Sequence, residues 1–433
     1  ILNLSRIPLY RPEKRQFFQE RASLFAFNLG EVNELFFSRR IGLDNSGNPI
    51  PIIAGARAAI RKGSYDIGIL NMQSGVSTNL PSENFGVVRM RKRTANDGSY
   101  VGGIFTSRYG RDGNYNLNLG LDYVNRMFGQ DYLTLKTALG VDANQTSNPT
   151  DNSIFHADWT RRKNIGLSYK VNLTRFGKNF FPGIGFITRN DVTYFRNRIT
   201  YIREKPDNPN ILRSGEQFIF KSSLRNSNWS AKSLEFSYIH NIEFNSGAGM
   251  GFGGRTRRED LRNDVSFFPG ITVSPGSYNL YDVLVYYNMA PSHPFRINTS
   301  VNPGIFYDGI NAIFTLEPFW NISKHVELSG YYEFNTIQYP DEGLGFNAHI
   351  IRGRAELALN KSLTASSFLQ FSNISETVGL NIRFRYNFGE GKDLWLVMNE
   401  NVDTSGQYQN SLLDTRNILS RSILLKFNYT LSR

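Results

Sequence analysis

Residues 114–123, NYNLNLGLDY, alternate between two kinds of side chain. Every second residue from Tyr115 to Tyr123 is apolar or aromatic, and the residues between them are Asn, Gly or Asp. Successive side chains of a β-strand point to opposite faces, so this pattern predicts a strand with one apolar and one polar face. We expect Leu117, Leu119 and Leu121 to face lipid. We expect the opposite face to meet a polar lumen through Asn116, Asn118 and Asp122.

The same alternation recurs along most of the chain, at 131–142, 164–174, 234–244, 295–301, 326–334, 351–360, 378–388 and 423–431. A soluble β-sandwich also alternates. However, these segments of about 10–14 residues exceed the usual soluble strand and match a tilted membrane crossing. Many apolar rows also end in aromatic residues near a turn, as at the interfaces of a bilayer. The pattern therefore predicts an all-β fold, a transmembrane antiparallel β-barrel of the bacterial outer membrane.

The links between these segments alternate in length, which is typical of outer-membrane barrels with short periplasmic turns and long outer loops. The predicted short links are 61–64, 95–98, 161–164, 321–325 and 359–363. The predicted long links are 244–264 and 403–417, and 268–277 is predicted to form an outer-loop hairpin over the mouth. Segment 174–212 holds one long strand or two, and 34–41 is a possible first strand. The even-number rule then gives about 20 strands, within a range of about 18–22.

Residues 1–45 lack the two-residue period and contain clustered charges, prolines and adjacent aromatics. We predict a linker or plug-like segment over 1–45 and the barrel over 46–433, because a barrel of this size encloses more space than its own side chains fill. The sequence starts at Ile1 without the charged and apolar regions of a signal peptide, so we expect the export signal to lie upstream.

Composition narrows the function classes. The 433 residues include 33 Phe and 22 Tyr but no uncharged apolar run long enough for a spanning helix. Cysteine is absent, which excludes disulfides, thiolate metal sites and cysteine nucleophiles. The formal net charge is +12, but the basic residues are dispersed and form no nucleic-acid-binding motif. We therefore expect no nucleic-acid partner and no cofactor, and we expect the lipid bilayer and lipopolysaccharide to surround the chain.

Three stretches carry a family resemblance: PEKRQFF at 12–18, LFFSRRIG at 35–42 and GKDLWLVMNE at 391–400. In these stretches the chain resembles the C-terminal domain of unknown function found in outer-membrane proteins of Bacteroidota. That domain follows an N-terminal module similar to family-9 carbohydrate-binding modules. Gln16 stands where the family motif has Pro. The resemblance implies an outer-membrane barrel and a missing N-terminal module through which glycans would bind, but it implies no biochemical activity.

Rows of arginine share single strand faces. The rows are Arg89, Arg91 and Arg93, then Arg352 with Arg354, and Arg383 with Arg385. Facing a lumen, such rows would attract and steer acidic solutes or polysaccharides. Alternatively, they pair across strands with inward carboxylates and stiffen the wall. The expected carboxylates are Glu235, Glu243, Glu327, Glu333 and Glu356.

Two further motifs suggest chemistry but are weak. His156 and Asp158 lie on one face of a strand, as in the base and orienting pair of a hydrolase, but no nucleophile accompanies them. The remaining histidines lack ligand spacing, so we expect no metal site and read this pair as polar lumen residues. The glycine-rich stretch 247–254 lacks the GK[ST] helix start of a phosphate loop and is predicted to be a flexible outer loop.

The sequence therefore favours a non-enzymatic outer-membrane barrel that passes a solute or polymer. The alternative is an anchor or scaffold subunit of an envelope assembly or secretion complex, with other envelope proteins as partners. An outer-membrane hydrolase is a weaker third class. An open lumen with unpaired arginines would favour passage, a filled lumen would favour the scaffold, and His156 bonded to both Asp158 and a serine would favour the enzyme.

Overall fold

Strands dominate the structure. The computed structural model describes residues 10–44, 47–77, 80–94, 96, 98–143, 148–268, 271–340, 343–405 and 417–429. Two short helices, α1 (Gln16–Gln19) and α2 (Ala22–Phe25), and a 3₁₀ turn at Ser38–Arg40 precede the strands. The strands are β1 (Ile52–Lys62), β2 (Tyr65–Ser74), β3 (Glu83–Arg93), β4 (Tyr100–Gly110), β5 (Tyr115–Phe128), β6 (Asp131–Asp142), β7 (Ser153–Arg161), β8 (Gly166–Phe176), β9 (Val192–Glu204), β10 (Ile211–Arg225), β11 (Ala231–Phe244), β12 (Gly249–Leu261), β13 (Val265–Phe268), β14 (Ile271–Val273), β15 (Gly276–Asn288), β16 (Phe295–Phe306), β17 (Gly309–Ser323), β18 (Val326–Tyr339), β19 (Leu344–Ala358), β20 (Leu363–Ser372), β21 (Thr377–Gly389), β22 (Lys392–Asp403) and β23 (Ile418–Tyr429).

All strands except β13 and β14 form one antiparallel sheet in sequence order. Each strand pairs with its neighbours in the chain, and β12 pairs with β15 across the separate β13–β14 hairpin. Over the described residues, this sheet has 21 strands. The even-number rule had suggested about 20, and that count is not confirmed. Within the described residues β1 pairs only with β2 and β23 only with β22, so the predicted closure into a barrel is not detected.

The two edges of the sheet carry links of different length. The links after β1, β3, β5, β7, β9, β11, β15, β17, β19 and β21 have at most six residues, and we name this the short-link edge. All five short links predicted from the sequence fall there. The opposite, long-link edge carries the long connections 75–82, 143–152, 177–191, 262–275 and 404–417. An odd number of antiparallel strands makes β1 and β23 run in the same direction, from the long-link to the short-link edge.

The two faces of the sheet are chemically opposite, as the alternation predicts. In β5, Leu119 and Leu121 are 55% and 57% exposed, whereas Asn118 and Asp122 are 1% and 3% exposed. Exposed apolar rows continue along the same outer face of other strands, including Tyr281, Val283, Val285 and Tyr287 in β15 and Ile423, Leu425 and Phe427 in β23. The exposed apolar outer face is the inverse of the surface of a water-soluble protein.

Residues 10–44, which we name the inner segment, pack against the inner face of the sheet. Phe27, Leu29 and Leu35 have no exposed surface. They belong to a buried cluster with residues of the wall, among them Leu70, Val87, Ile104, Ala138, Ile154, Phe176 and Val192. Glycine makes the close approach possible, because a β-carbon on Gly120 would lie 2.9 Å from both Phe27 and Leu35.

The link 177–191, which we name the inner loop, also folds onto the inner face. Glu34 and Phe186 exchange two backbone hydrogen bonds of 2.8 Å, and the Phe37 N–H donates to the carbonyl of Ile184. Phe180 and Ile184 lie in the same buried cluster as the inner segment. The inner segment and the inner loop therefore form one layer over the first part of the sheet.

Some boundaries differ from the sequence prediction. The possible strand at 34–41 is part of the inner segment, where bridges to the inner loop take the place of a strand ladder. Segment 174–212 holds the end of β8, the inner loop, β9 alone as a full strand and the start of β10. The predicted loop 403–417 lies largely outside the described residues.

The glycine-rich stretch 247–254 is not a flexible loop, since most of it is the start of β12. A β-carbon on Gly251 would overlap the ring of Tyr286, so glycine at this position makes room for a large neighbouring side chain and does not mark a turn. The predicted long link 244–264 accordingly contains a whole strand. The predicted hairpin near 268–277 exists as β13–β14, and Val273 packs in a buried cluster with Leu280, Ile337 and Tyr339 of the sheet.

Among the described residues, no helix combines the length and the hydropathy needed to cross a membrane.

Candidate functional site

The inner face divides into two walls. The filled wall, β2–β9, is covered by the inner segment and the inner loop. Within the part of the chain that the structure describes, the open wall, β16–β23, is covered only near the long-link edge, where the β13–β14 hairpin packs. Elsewhere its inward side chains are polar or aromatic and mostly partly exposed, among them Asn298, Ser300, Thr315, Ser366, Asn381 and Asn399. Among the described residues, the inner layer therefore covers the filled wall and leaves much of the open wall accessible.

Arg89 lies at the centre of the filled wall and is fully buried. Its guanidinium donates two hydrogen bonds, of 2.7 and 2.5 Å, to the two carboxylate oxygens of Asp122. The pair reaches across β4 above Gly102, where a β-carbon would lie 2.6 Å from Asp122 and 2.9 Å from Arg89. The Arg89 guanidinium also lies 5.4 Å from the ring centre of Phe27 in the inner segment. Arg89 is therefore a structural cation that cannot contact a solute.

Arg91 and Arg93 follow on the same face towards the short-link edge. The Arg91 guanidinium lies 5.3 Å from the ring centre of Tyr100. Arg93 donates to the carbonyl of Gly63 at 2.6 Å and lies 3.9 Å from the carboxylate of Asp66. This predicted row thus splits into one buried ion pair and two positions near the mouth.

Arg352 and Arg354 lie in β19 of the open wall. The Arg352 guanidinium is 4.6 Å from the ring centre of Tyr331. Arg354 forms an ion pair with Glu356, two residues along the same strand, and both side chains are well exposed. One arginine of this row is therefore neutralised within its own strand.

Arg383 and Arg385 lie in β21 of the same wall. Arg385 donates to Asp393 at 2.8 Å and stands 5.5 Å from the ring centre of Trp395, which it faces across the β21–β22 pair. Arg383 is exposed and has no hydrogen bond or ion pair within the described part of the chain. Both arginines line a cavity of about 400 Å³ at the short-link edge, together with Lys324, Glu327, Glu356, Ser366 and Trp395.

The expected arginine–glutamate pairing across strands is mostly absent from the predicted rows. Glu235 pairs with Lys221 at 2.9 Å, and Glu243 pairs with Arg213 at 2.5 Å. Glu333 accepts hydrogen bonds from neighbouring polar groups, and Glu327 has no ion pair within the residues described. Only Glu356 meets a predicted arginine, within one strand.

His156 and Asp158 do not form a catalytic pair. His156 is buried, and its Nδ1 lies 2.8 Å from the Thr174 hydroxyl and 3.4 Å from the Asn172 amide. Asp158 instead pairs with Lys170 at 3.1 Å and accepts a hydrogen bond from Thr160. The arrangement that would have favoured a hydrolase, His156 bonded to Asp158 and a serine, is thus absent from the described residues.

Sequence reasoning missed a further set of inward charges. Arg255 and Arg257 of β12 face inwards, but their stretch had been read as a loop. Arg255 donates to Asp282 at 2.7 Å, and Arg257 lies 3.5 Å from Glu259. The alternation of charge with Gly and Thr in GGRTRRED was the available signal, hidden by the absence of apolar residues on its outward face.

Two carboxyl groups of the inner segment have opposite environments. Burial raises the pKa of Glu34 to about 7, although a hydrogen bond from the Tyr10 hydroxyl acts in the other direction. Burial would also raise the pKa of Glu13, but hydrogen bonds from Arg15 and Ser38 outweigh it and lower the pKa to about 2. Only Glu34 therefore changes its charge near neutral pH.

No group of three or more His, Cys, Asp or Glu side chains that could hold a metal ion occurs among the residues that the structure describes. The open wall can supply hydrogen-bond donors, acceptors, aromatic rings and the guanidinium of Arg383, which has no hydrogen bond or ion pair among the residues described. Groups of these kinds line ligand-binding pockets.

The strands of the sheet, other than β13 and β14, run for 9 to 15 residues, enough to cross a bilayer when tilted. The outer face carries exposed apolar and aromatic side chains. The inner face is mostly polar over the open wall and packs against the inner segment and the inner loop over the filled wall. Only strands whose backbone groups are satisfied by neighbouring strands can cross lipid in this way. The chain is a protein of the bacterial outer membrane.

No family model matches the sequence, and no curated protein matches it. Among solved structures, the chain is similar to the siderophore receptor PirA from Acinetobacter baumannii, with a TM-score of 0.46 and 9% identity over 84% of this chain and 72% of the receptor. It is also similar to the ferric-catecholate import receptor Fiu from E. coli K12, with a TM-score of 0.37 and 8% identity over 89% and 75% of the two chains. The copper transporter OprC gives a TM-score of 0.36 and 8% identity over 88% and 72%. Scores this low assign neither a family nor a substrate.

Proposed function

We propose that this chain is an outer-membrane channel for a polar solute or polymer, in which the inner segment acts as a fixed plug over one wall and the solute moves along the other. The observation that carries the proposal is the chemistry of the open wall. Its inner face is largely polar and partly exposed, and Arg383 there has no ionic partner among the residues that the structure describes, while its outer face is apolar. A wall that only enclosed a hydrophobic core would carry apolar, buried side chains on its inner surface, whereas those of the open wall are largely polar and partly exposed.

The short-link edge is the periplasmic side under this proposal, because outer-membrane barrels have short periplasmic turns and long outer loops. The cavity that Arg383 lines would then open towards the periplasm. The chain performs no bond-breaking step, and its inward charges select the solute.

A second function is favoured by the filled wall. The inner segment is held by a dry apolar cluster and by the ion pair between Glu31 and Arg196 at 2.9 Å. If the remaining lumen were also blocked in the membrane, the protein would serve as an anchor or scaffold for an envelope assembly.

Single-channel recording in planar bilayers under a salt gradient separates these functions. The wild-type chain is expected to give steady current with an anion preference, which Arg383→Gln reduces. Arg421→Gln is the matched control, because Arg421 lies on the outer face of β23 in an ion pair with Glu400. Silence from the wild type would exclude the channel and support the scaffold.

A cross-link tests whether the plug stays in place. The chain contains no cysteine, so Glu31→Cys with Arg196→Cys introduces one addressable pair between the inner segment and β9. Passage along the open wall predicts unchanged current after treatment with a short bifunctional thiol reagent. Loss of current that returns when the cross-link is cleaved would show that the plug must move.

A further inference from the structure

Aromatic rings stand beside arginines at three places on the inner face of the open wall. The guanidinium of Arg296 lies 4.7 Å from the ring centre of Phe319. The Arg352–Tyr331 and Arg385–Trp395 pairs described above repeat the arrangement on later strands. Phe319, Tyr331 and Trp395 are partly exposed and belong to neither buried cluster, so these rings do not serve a hydrophobic core.

The third place adjoins the cavity of about 400 Å³, a volume in the usual range for a small-ligand pocket. Arg385 is held by Asp393 and Glu356 by Arg354, whereas Arg383 has no such partner within the described residues. Lys324, His325 and the hydroxyl groups of Thr364, Ser366 and Ser323 also line the cavity. The cavity therefore offers the guanidinium of Arg383, a lysine ammonium, one indole ring and several neutral hydrogen-bonding groups.

A site for a bare inorganic anion would not include carboxylates, yet Glu327 and Glu356 both line this cavity. Carboxylates accept hydrogen bonds from hydroxyl groups, and a guanidinium binds a carboxylate through two parallel hydrogen bonds. An aromatic ring covers the apolar face of a flat or ring-shaped ligand. A ligand that satisfies all three carries an acidic group, several hydroxyls and a ring.

We propose that this cavity binds an acidic sugar of the uronate class, as a subsite for the solute that the channel passes. Arg383 holds the carboxylate, Trp395 stacks against the sugar ring, and Glu327 and Glu356 accept hydrogen bonds from ring hydroxyls. This assignment rests on the proposed function, of which it names the substrate class.

Calorimetric titration of the full chain in detergent tests the assignment independently of current. Trigalacturonate is the probe, and maltotriose and sulfate are the neutral and the non-sugar controls. Trigalacturonate is expected to bind, and Arg383→Gln and Trp395→Ala are each expected to weaken binding at least about tenfold. Arg421→Gln, on the outer face, should leave the affinity unchanged.

Four results would overturn the assignment. Sulfate binding as tightly as trigalacturonate would indicate a simple anion site, and maltotriose binding as tightly would remove the role of Arg383. Equal losses in Arg383→Gln and Arg421→Gln would indicate a general charge effect. A conducting protein that does not bind trigalacturonate would refute the sugar site but leave the channel standing, whereas binding without conduction would refute the channel alone.

Discussion

The filled and the open wall are built from strands with the same alternation, but their inward side chains lie in different environments. In the filled wall, the inward Asn116, Asn118 and Asp122 are buried beneath a second layer of chain. In the open wall, inward groups such as Asn381 and Arg383 keep contact with water. Strand alternation therefore determines which side chains point inwards, but only the layer above them determines whether an inward charge is structural or free to bind.

Removal of a carboxylate partner is expected to give the largest difference between the two walls in the free energy of unfolding. Asp122→Asn leaves Arg89 buried without an ionic partner, which should lower the free energy of unfolding by about 3–5 kcal/mol. Asp393→Asn removes the partner of the partly exposed Arg385 and should cost less than about 1 kcal/mol. Urea unfolding in detergent, followed by tryptophan fluorescence, measures both losses. Equal losses would show that the inner segment does not shield Arg89.

Arginine scanning of opposite faces should give the next largest difference. In the open wall, Leu396→Arg places a charge in lipid and should cost about 2–4 kcal/mol near mid-bilayer, whereas the inward Asn399→Arg should cost little. In the filled wall, Leu119→Arg and Asn118→Arg should both be costly, because Asn118 is buried and bonded to Asn116 and Thr106. Refolding titrations into lipid vesicles compare the four variants. A small loss of stability in Asn118→Arg would contradict the burial of this wall beneath the inner layer.

Overpacking tests the contact between the plug and the wall. Gly120→Val adds atoms where a β-carbon already meets Ile104, Leu35 and Phe27 at 2.9 Å, and should destabilise the protein by about 1–3 kcal/mol. It should also speed cleavage of the inner segment by trypsin. Gly353→Val is the matched control, because no atom lies within 4 Å of the added β-carbon. An unchanged cleavage rate in Gly120→Val would place the inner segment elsewhere.

The smallest expected effect is a pH dependence confined to the plug. Because the pKa of Glu34 rises from 4.5 to about 7 on folding, the folded protein holds a proton that the unfolded chain releases between these values. The stabilisation is complete below pH 4.5 and is lost as the pH rises through about 7. The protection of inner-segment amides, corrected for the intrinsic rise of exchange with pH, should therefore fall over this range in the wild type. Glu34→Gln should abolish that fall in protection, and an identical profile in the variant would assign it to another group.

The faces of the strands were predictable because a two-residue period is a local property. Leu119 and Asn118 are assigned to opposite faces by their spacing alone, and the structure agrees. The β12 strand escaped prediction because its outward positions include Gly254 and Thr256, so no apolar row appears. Gly251 of this strand leaves room for the ring of Tyr286, and the two residues come together only because β12 pairs with β15.

The partners of the inward charges were not predictable. Arg89 meets Asp122 two strands away, a contact that depends on the stagger of three strands and on the missing side chain of Gly102. The segment at 34–41 was apolar enough to resemble a strand, but it pairs with the inner loop, more than 140 residues later. Such long-range contacts leave no periodic trace in the sequence.

The inner layer also has a mechanical consequence. A pull on the C-terminal end first meets β23, whose only described neighbour is β22, so the open wall should peel away hairpin by hairpin. The buried cluster joins the inner segment and inner loop to strands from β2 to β9, so these strands should resist the force together. Under force, a ladder of small steps should therefore end in a single large rupture at the filled wall.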